Sequence, residues 1–332
     1  MTPTRSAVAA IAALALLAWP SAAAADERFA PEDRDLEGPM AADDGRFVFF
    51  WEEVDLDRFN LFEGYGPGAV SLGVPGADGP LELADVHLGT DAQRQPVLAF
   101  SYGTEELSDI YRYDFRTRRE TRLSSSRAHC DEAGVRILRG VVYFERYEGS
   151  QRARRRCPSG VFAKRPGRKE RRLLRAVPGS WDVSPQGTIA FERQIVGPSP
   201  GDGSGRRGTS EVRVKHIGRR GSRLVASTRF RVLSRDFYKG PIFAGVTLDE
   251  GFVYWLRSDE DSLTGDLLRN RIGAKGRTTK LSSEGRSFKG RGGLGAAESF
   301  VVDGDEIYYY SVPLSTNGAI FKVGPGPPQF DE

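Results

Sequence analysis

Four polar residues near the starts of apolar segments are the candidates for a shared site in this sequence. Acid–base chemistry and ligand binding both use carboxylates or imidazoles that converge on one cavity. Each candidate falls on or beside a segment that we predict to be the first strand of a repeating unit. They are Asp85, His87, Asp182 and Asp303. We predict that they line a ligand-binding site, and we assign no catalytic residue.

Sequence motifs of established enzyme classes are absent. The sequence has no Gly-x-Ser-x-Gly elbow, no His-Glu-x-x-His, no P-loop and no glycine-rich dinucleotide fingerprint. It therefore lacks the local patterns of nucleophilic, zinc-dependent and nucleotide-dependent chemistry. We interpret His216 as a solvated residue of an outer hairpin, and a structural role is the alternative for His87. These observations favour a protein that is not an enzyme.

Two Asp-x-Asp pairs, Asp55/Asp57 and Asp259/Asp261, offer oxygen ligands that would suit calcium. Neither pair continues into a full calcium-binding loop, and solvated carboxylates are the alternative interpretation. We expect no cofactor and no metal site, and calcium is the one ion that the sequence leaves open.

Cys130 and Cys157 are the only two cysteines. Residues 1–25 have the pattern of an export signal, and an even cysteine count in an exported chain predicts a disulfide. A redox pair would need reduced thiols. The neighbouring His129 does not complete any zinc pattern at this spacing. We therefore predict a structural disulfide between Cys130 and Cys157.

Residues 1–25 have the composition of a signal peptide. Arg5 gives a positive start, residues 7–19 are apolar, and Ala23, Ala24 and Ala25 fit a cleavage site before Asp26. The apolar run is too short to span a bilayer comfortably, and an uncleaved anchor is the alternative. We predict a secreted or extracytoplasmic protein without a transmembrane segment.

One hairpin pattern, typified by SDIYRYDFRTRRETRL, recurs six times along the chain at intervals of about 50 residues, and such a period indicates a repeat architecture. The first core position of each copy is Leu61, Ile110, Val161, Val212, Leu267 or Ile320. Each copy follows an apolar strand with an aromatic residue at the same place. These aromatic residues are Phe50, Phe100, Phe144, Phe191, Trp255 and Tyr310.

Four antiparallel strands in each unit of about 50 residues predict a propeller blade. We call the strands of a unit a, b, c and d in chain order. The fold class is therefore all-β, a six-bladed propeller formed as a single domain by residues 26–323, followed by a Pro/Gly-rich tail at 324–332. The last unit lacks its outer strand, and we predict that residues near Asp26 to Asp33 supply it and close the ring.

The segment DIYRYDFRTRRETRLS resembles the outer hairpin of TolB-like propeller repeats, and WDVSPQGTIAF resembles their inner strand with its Ser-Pro-x-Gly turn. The resemblance extends over all six units, is close in the second and fourth, and weakens in the first and sixth. It implies a propeller, and a role in protein–protein contacts at the cell envelope or in capping a peptidase.

Charge is nearly balanced over the chain, with a formal net charge of +3, so composition gives no indication of nucleic-acid binding. The b–c loops are acidic in units one, two and five, and the c–d turns are basic. Solubility is one explanation of the basic turns, and docking on an anionic surface polymer or lipid headgroups is the other. The basic residues are Arg116, Arg118, Arg119, Lys164, Arg165, Arg168, Lys169, Arg219, Arg220, Lys275 and Arg277.

A Phe-Glu-Arg triplet occurs in two adjacent units, at 144–146 and at 191–193. Neighbouring residues of a strand point to opposite faces, so we predict that one Arg meets the Glu of the other triplet as an ion pair between the blades.

The sequence as a whole favours a secreted, non-catalytic, monomeric propeller that binds a partner, such as an envelope protein or an anionic surface polymer. The alternative is a hydrolase or lyase with its site at the mouth of the central channel.

Overall fold

The structure is a computed structural model. It describes residues 27–28, 40–43, 46–53, 58–63, 70–71, 82–104, 107–123, 130–147, 157–165, 167–176, 178–199, 205–233, 238–258, 265–273, 278–282, 300–304, 306–311 and 319–322. Over these residues the chain forms 25 strands and no helix, and none of them forms a helix that could span a membrane.

The strands are organised as six antiparallel sheets, which we number in chain order. Sheet 1 contains β2 (Met40–Asp43), β3 (Arg46–Glu53), β4 (Arg58–Glu63) and β5 (Val70–Ser71). Sheet 2 contains β6 (Glu82–Thr90), β7 (Pro96–Thr104), β8 (Leu107–Asp114) and β9 (Arg119–Arg122). Sheet 3 contains β10 (Asp131–Leu138), β11 (Val141–Tyr147), β12 (Gly160–Lys164) and β13 (Arg171–Leu174).

The second half of the chain continues the arrangement. Sheet 4 contains β14 (Trp181–Val183), β15 (Thr188–Val196), β16 (Arg206–His216), β17 (Arg223–Val232) and β18 (Tyr238–Lys239). Sheet 5 contains β19 (Ile242–Asp249), β20 (Phe252–Ser258), β21 (Gly265–Arg271) and β22 (Thr278–Ser282). Sheet 6 contains β23 (Phe300–Asp303), β24 (Glu306–Ser311), β25 (Ala319–Lys322) and, from the start of the chain, β1 (Glu27–Arg28).

Within the described residues, the first strands of neighbouring sheets contact one another closely at five of the six steps, the step from sheet 3 to sheet 4 being the exception. β6 contacts β2 and β10, β19 contacts β14 and β23, and β23 contacts β2. Sheets that pack side by side through their first strands form a propeller. The fold is therefore an all-β propeller of antiparallel sheets.

Neighbouring sheets share apolar cores because their middle strands are buried on both faces. In β7, Leu98 and Phe100 pack against sheet 1, whereas Val97 and Ala99 pack against sheet 3. This alternation is the period-two geometry of a strand. It explains why the second strand of each unit reads as a continuous apolar run.

The sequence repeat coincides with the sheets. The six predicted core positions lie in the third strands β4, β8, β12, β16, β21 and β25. The six predicted aromatic positions lie in the second strands β3, β7, β11, β15, β20 and β24. Phe100, Phe144 and Trp255 are almost completely buried.

Sheet 4 differs from the predicted four-stranded unit because it has a fifth strand, β18. Its strands β16 and β17 are long, with 11 and 10 residues, and their pairing continues as far as Arg206 and Val232. The end of β17 therefore leaves an edge on which the two residues of β18 pair.

Two links outside the repeats were also predicted from the sequence. β1 pairs antiparallel with β25, with Glu27 opposite Lys322, and β1 falls within the predicted range of Asp26 to Asp33. Cys130 and Cys157 form the predicted disulfide, with their Cα atoms 5.5 Å apart. The disulfide joins the residue before β10 to the approach to β12, inside sheet 3.

Candidate functional site

Two matching β-bulges shape the inner side of sheets 3 and 5. In β10 the register shifts between Ala133 and Arg136, and in β19 it shifts between Ala244 and Thr247. The same tripeptide, Ala-Gly-Val, occupies both bulges, and each glycine has a φ of 58°. A bulge of this kind redirects the side chain that follows it. Arg136 and Thr247 consequently both reach the strand between them, β14.

Arg136 is the centre of a group of polar contacts. Its Nη1 atom donates to Asp85 Oδ2 at 2.7 Å, and its Nε donates to Asp182 Oδ1 at 3.2 Å. Nη1 also donates to the carbonyl oxygen of Val135 at 2.7 Å. The guanidinium lies 5.6 Å from the centre of the Trp181 ring. Arg136 therefore connects β6, β10 and β14 through one side chain.

Asp182 extends these contacts to sheet 5. Its Oδ2 atom accepts from Thr247 Oγ1 at 3.0 Å and from the backbone amide of Leu248 at 2.7 Å. Its Oδ1 also accepts from the amide of Val183 at 2.8 Å. We name the group Asp85, Arg136, Asp182 and Thr247 the polar belt. The polar belt joins the first strands of four consecutive sheets.

Burial and ion pairing have opposite effects on the pKa values of Asp85 and Arg136 in the polar belt. Burial raises the pKa of Asp85, and the positive charge of Arg136 partly offsets that effect. Burial also disfavours the charge on Arg136, but Asp85 and Asp182 outweigh it and raise the pKa of the guanidinium. A buried ion group of this kind is stable only when every charge has a partner.

His87 lies on the same strand as Asp85 but serves a different contact. Its Nδ1 atom accepts a hydrogen bond from the backbone amide of Ile137 at 3.3 Å. Burial, and then the charge of Arg136, lower the pKa of His87 well below its usual value, so the imidazole is neutral at neutral pH. His87 thus links sheet 2 to sheet 3 as a hydrogen-bond acceptor.

Asp303 lies apart from the other three candidates. It lies at the end of β23, near Asp249 at the end of β19. Burial and the charges of Glu250 and Asp303 raise the pKa of Asp249 to about 6. The structure therefore brings Asp85 and Asp182 to one shared partner, places His87 beside them, and leaves Asp303 elsewhere.

Glu145 is a buried carboxyl beside the polar belt that is not among the four site residues predicted from the sequence. It is 5% exposed and accepts a hydrogen bond from the hydroxyl of Tyr147. Tyr147 as a whole residue is 39% exposed. Burial, with a smaller contribution from Asp85, raises the pKa of Glu145 to about 7. A Cβ atom on Gly134 would lie 2.8 Å from Glu145 Cδ, so the bulge glycine makes room for this carboxyl.

The predicted exchange of ion pairs between the two Phe-Glu-Arg triplets is wrong. Arg146 Nε donates to Glu132 Oε1 at 2.9 Å, and its Nη2 also pairs with Glu170 Oε2 at 3.0 Å. Glu132 belongs to β10 of sheet 3 and Glu170 directly precedes β13 of the same sheet. Arg146 also stacks 4.6 Å from the Phe162 ring in β12. Arg146 therefore pairs with carboxylates of its own repeat unit, and the contact between sheets is made by Arg136 instead.

The role of Arg136 has one signal in the sequence, which is a repeated tripeptide. The sequence Ala-Gly-Val precedes both Arg136 and Thr247 at the same place in their units. A repeated glycine within a strand pattern indicates a bulge, and a bulge indicates a redirected side chain.

Several predicted binding residues can be located, and others cannot. Within the described part of the chain, no group of three or more His, Cys, Asp or Glu residues could hold a metal ion. Asp55, Asp57, Asp259 and Asp261 lie outside the described residues. The basic c–d turns of sheets 2, 3 and 4 are described and exposed at Arg116, Arg165 and Arg219, whereas the turn with Lys275 and Arg277 is outside the described residues.

Comparison with known proteins identifies structures with a similar fold but no family to which the chain belongs. No family model matches the sequence, and no curated protein matches it. The chain is similar to the solved structure of a prolyl endopeptidase, with 12% identity and a TM-score of 0.50 over 90% of this chain and 42% of that one. It is also similar to an α-L-arabinanase from Penicillium chrysogenum, with 11% identity and a TM-score of 0.50 over 91% of this chain and 98% of that one.

TolB from Acinetobacter baumannii is among the similar structures, with 10% identity and a TM-score of 0.47 over 86% of this chain and 65% of TolB. The chain therefore spans less than half of the endopeptidase and about two thirds of TolB. At these identities the likeness extends to the fold alone, and β-propellers with quite different activities share it.

Proposed function

We propose that the protein is an exported binding module of the cell envelope and that its channel-facing charges are structural. One observation carries this proposal. Every charged group of the polar belt is engaged within it, because both carboxylates pair with Arg136 and Asp182 also accepts from Thr247 and Leu248. Groups engaged in this way hold sheets together and leave no activated nucleophile or base. Binding then falls to the outer surfaces and loops.

We infer that the six sheets are six blades of one closed ring. The contacts between successive first strands run from β2 through β6 to β10, and from β14 through β19 and β23 back to β2. The Arg136–Asp182 contact spans the remaining step between sheets 3 and 4. Pairing of β1 with β25 would close the ring by joining the two ends of the chain in one blade.

Two features support the proposed location outside the cytoplasm. The leader at 1–25 has the pattern of a secretory signal, and the Cys130–Cys157 disulfide is of a kind that persists outside the cytoplasm. The resemblance of the hairpins to TolB-like repeats supports an interaction role at the envelope. We expect the mature chain to be a monomer of one domain.

Envelope binding and catalytic turnover can be measured on the same preparation. The mature chain is mixed with envelopes isolated from its source cells and sedimented, with excess unlabelled chain as competitor. We expect saturable binding that the competitor removes, and no product from a panel of glycoside and peptide substrates. Sedimentation that no competitor reduces, or no sedimentation at all, would contradict the binding function.

Glu145 supports a second candidate, a hydrolase or lyase at the channel mouth. A carboxyl with a pKa of about 7 is suited to donate and accept protons near neutral pH, and the partly exposed Tyr147 beside it gives access to solvent. Asp85 is the nearby second carboxyl, and burial raises its pKa as well. Turnover of any substrate in the panel that is lost in Glu145→Gln and retained in Glu211→Gln would favour this candidate.

A further inference from the structure

Three adjacent strands of sheet 4 carry a row of cations in direct register. Arg207 of β16 lies opposite Arg231 of β17, and Arg231 lies opposite Lys239 of β18. Arg229 is two residues before Arg231 and so lies on the same face of the sheet. All four side chains are exposed. We name Arg207, Arg229, Arg231 and Lys239 the cationic row.

The cationic row is an unfavourable arrangement for the isolated protein. Neighbouring strands are about 4.8 Å apart, and like charges directly opposite one another destabilise a sheet. Within the described residues no carboxylate forms an ion pair with any of the four. The same sheet does pair its charges elsewhere, since Arg213 Nη1 lies 2.8 Å from Glu211 Oε2. Three aligned cations that pair with no described carboxylate thus indicate a site whose counter-charge is brought by a ligand.

The cations surround a cleft rather than a flat surface. The cleft has a volume of about 880 Å³, and Ile195, Gly197 and Thr209 line it together with the cationic row. Gly197 donates its amide to the carbonyl of Arg207 at 2.8 Å. Having no side chain at this position, it leaves the row open on its β15 side.

Two further residues that line the cleft, Gly208 and Phe230, hold these strands in place. Phe230 packs directly over Gly208, where a Cβ atom would lie 2.4 Å from its ring. The ring of Tyr238 meets Phe230 edge-on, with centroids 6.2 Å apart. These contacts fix β16, β17 and β18 relative to one another, so the cations project from packed strands and not from a loop.

We propose that the cationic row binds the phosphate groups of an anionic polymer. The row runs across the strands, so a linear ligand would lie across the sheet and would not extend it as an added strand. Arginine forks bind phosphate through paired, charge-assisted hydrogen bonds, and a phosphate offers acceptor oxygens to several cations at once. The hydroxyl of Thr209 is a further donor in the cleft. This proposal rests on the proposed binding function and specifies the chemistry of the partner.

The site is at the opposite end of sheet 4 from the basic c–d turn. Arg219 and Arg220 occupy that turn between β16 and β17, whereas the cationic row lies beside the start of β16 and the end of β17. The two basic groups belong to one sheet, and two arginines can be replaced in each of them. The turn is therefore a matched control for total charge.

Binding of fluorescently labelled inorganic polyphosphate to the mature chain tests the proposal. The variants are Arg207→Gln/Arg231→Gln and the control Arg219→Gln/Arg220→Gln. We expect the first pair to weaken binding at least tenfold and to reduce the salt slope by about two, and the control to change affinity less than about twofold. We also expect the first pair to melt at a higher temperature than the wild type, because repulsion is removed.

Four results would overturn the proposal. The first two are no binding of polyphosphate and an equal loss of affinity in both double variants. The third is equally tight binding of poly-glutamate, which would assign the site to an acidic peptide. The fourth is full competition by inorganic phosphate at the polymer's own phosphate concentration, which would assign the site to a small anion. If envelope sedimentation persists while polyphosphate fails to bind, the proposed binding function stands and only this assignment falls.

Discussion

Glu145 shows how one buried residue makes the fold sensitive to pH. Its carboxyl is surrounded by the ring of Trp181, the hydroxyl of Tyr147 and the charges of the polar belt. Burial favours the neutral form, which raises the pKa from 4.5 to about 7. At pH values between 4.5 and about 7, the native state therefore keeps a proton on Glu145 that the unfolded chain has already released.

The stabilising effect of the protonated Glu145 is present below about pH 4.5 and is lost as the pH rises through 7. A shift of this size corresponds to about 3 kcal/mol. Because glutamine stays neutral and can still accept from Tyr147, Glu145→Gln should unfold at higher urea concentration than the wild type at pH 8, with the difference disappearing near pH 4.5. Urea titrations at several pH values measure this.

Glu211→Gln is the control for the Glu145 experiment, since Glu211 is paired with Arg213 at 2.8 Å and lies away from the polar belt. It should give no gain in stability at pH 8. A Glu145→Gln variant that is less stable than the wild type at pH 8 would contradict the assigned environment of this carboxyl.

Individual site residues were only partly predictable from the sequence. Asp85 and Asp182 could be placed on first strands, since hydrophobic periodicity and turns define those strands. Their shared partner could not be identified, because Arg136 reaches them only through a bulge whose register depends on pairing with β11. Asp303 was grouped with them by its position in the repeat, but it lies near Asp249 instead.

At the level of elements, sheet 3 combines a bulged inner strand with a covalent link. β10 carries the Gly134 bulge, and Cys130 directly precedes it. Both cysteines are buried, and the disulfide connects the starts of β10 and β12. The disulfide therefore restrains the strand that positions Arg136.

Removal of the disulfide should lower the free energy of unfolding by about 3.5 kcal/mol, from the chain entropy of a loop with a sequence separation of 27. The Cys130→Ala/Cys157→Ala variant and the wild type are compared by urea unfolding. A reducing agent should lower the stability of the wild type and leave the variant unchanged. A loss below about 1 kcal/mol would show that the loop is restrained by other contacts.

Most strands were predictable, and the exceptions have physical causes. Second and third strands are long and apolar, so β7, β11 and β20 are evident from composition. β18 has two residues and no periodicity of its own, so only the unpaired end of β17 determines it.

For the whole molecule, the repeat of about 50 residues was sufficient to predict a propeller, because each unit supplies one four-stranded sheet that needs neighbours on both faces. The order of sheets follows the order of the sequence, so no long-range pairing had to be guessed except that of β1 with β25. The ion pairs that join neighbouring sheets were not predictable in the same way, since they depend on which side-chain atoms meet across the sheet boundaries.

Ring closure by β1 can be tested by truncation. A chain that starts at residue 34 lacks β1 and leaves the edge of β25 unpaired. Since a backbone hydrogen bond contributes about 1 kcal/mol net, we expect a loss of about 1–3 kcal/mol in urea unfolding, together with self-association in size-exclusion chromatography.

A chain that lacks residues 324–332 is the matched control for this truncation, because the deletion is of similar length at the other end of the sequence. It should retain the stability and the elution volume of the chain that spans residues 26–332. Equal behaviour of both truncations would argue against closure by β1.

The most direct test of the account is a double-mutant cycle between Arg136 and Asp182, measured by urea unfolding. The variants are Arg136→Met, Asp182→Asn and the two combined. The partly exposed pair Asp109–Arg122, 2.6 Å apart, is the reference for a weak surface ion pair. If the polar belt holds sheets 3 and 4 together, the two substitutions should be coupled by about 1–3 kcal/mol, more than the reference pair. Additive effects, within about 0.5 kcal/mol, would mean that these charges do not hold the fold together, and the channel would then have to be reconsidered as a site for chemistry.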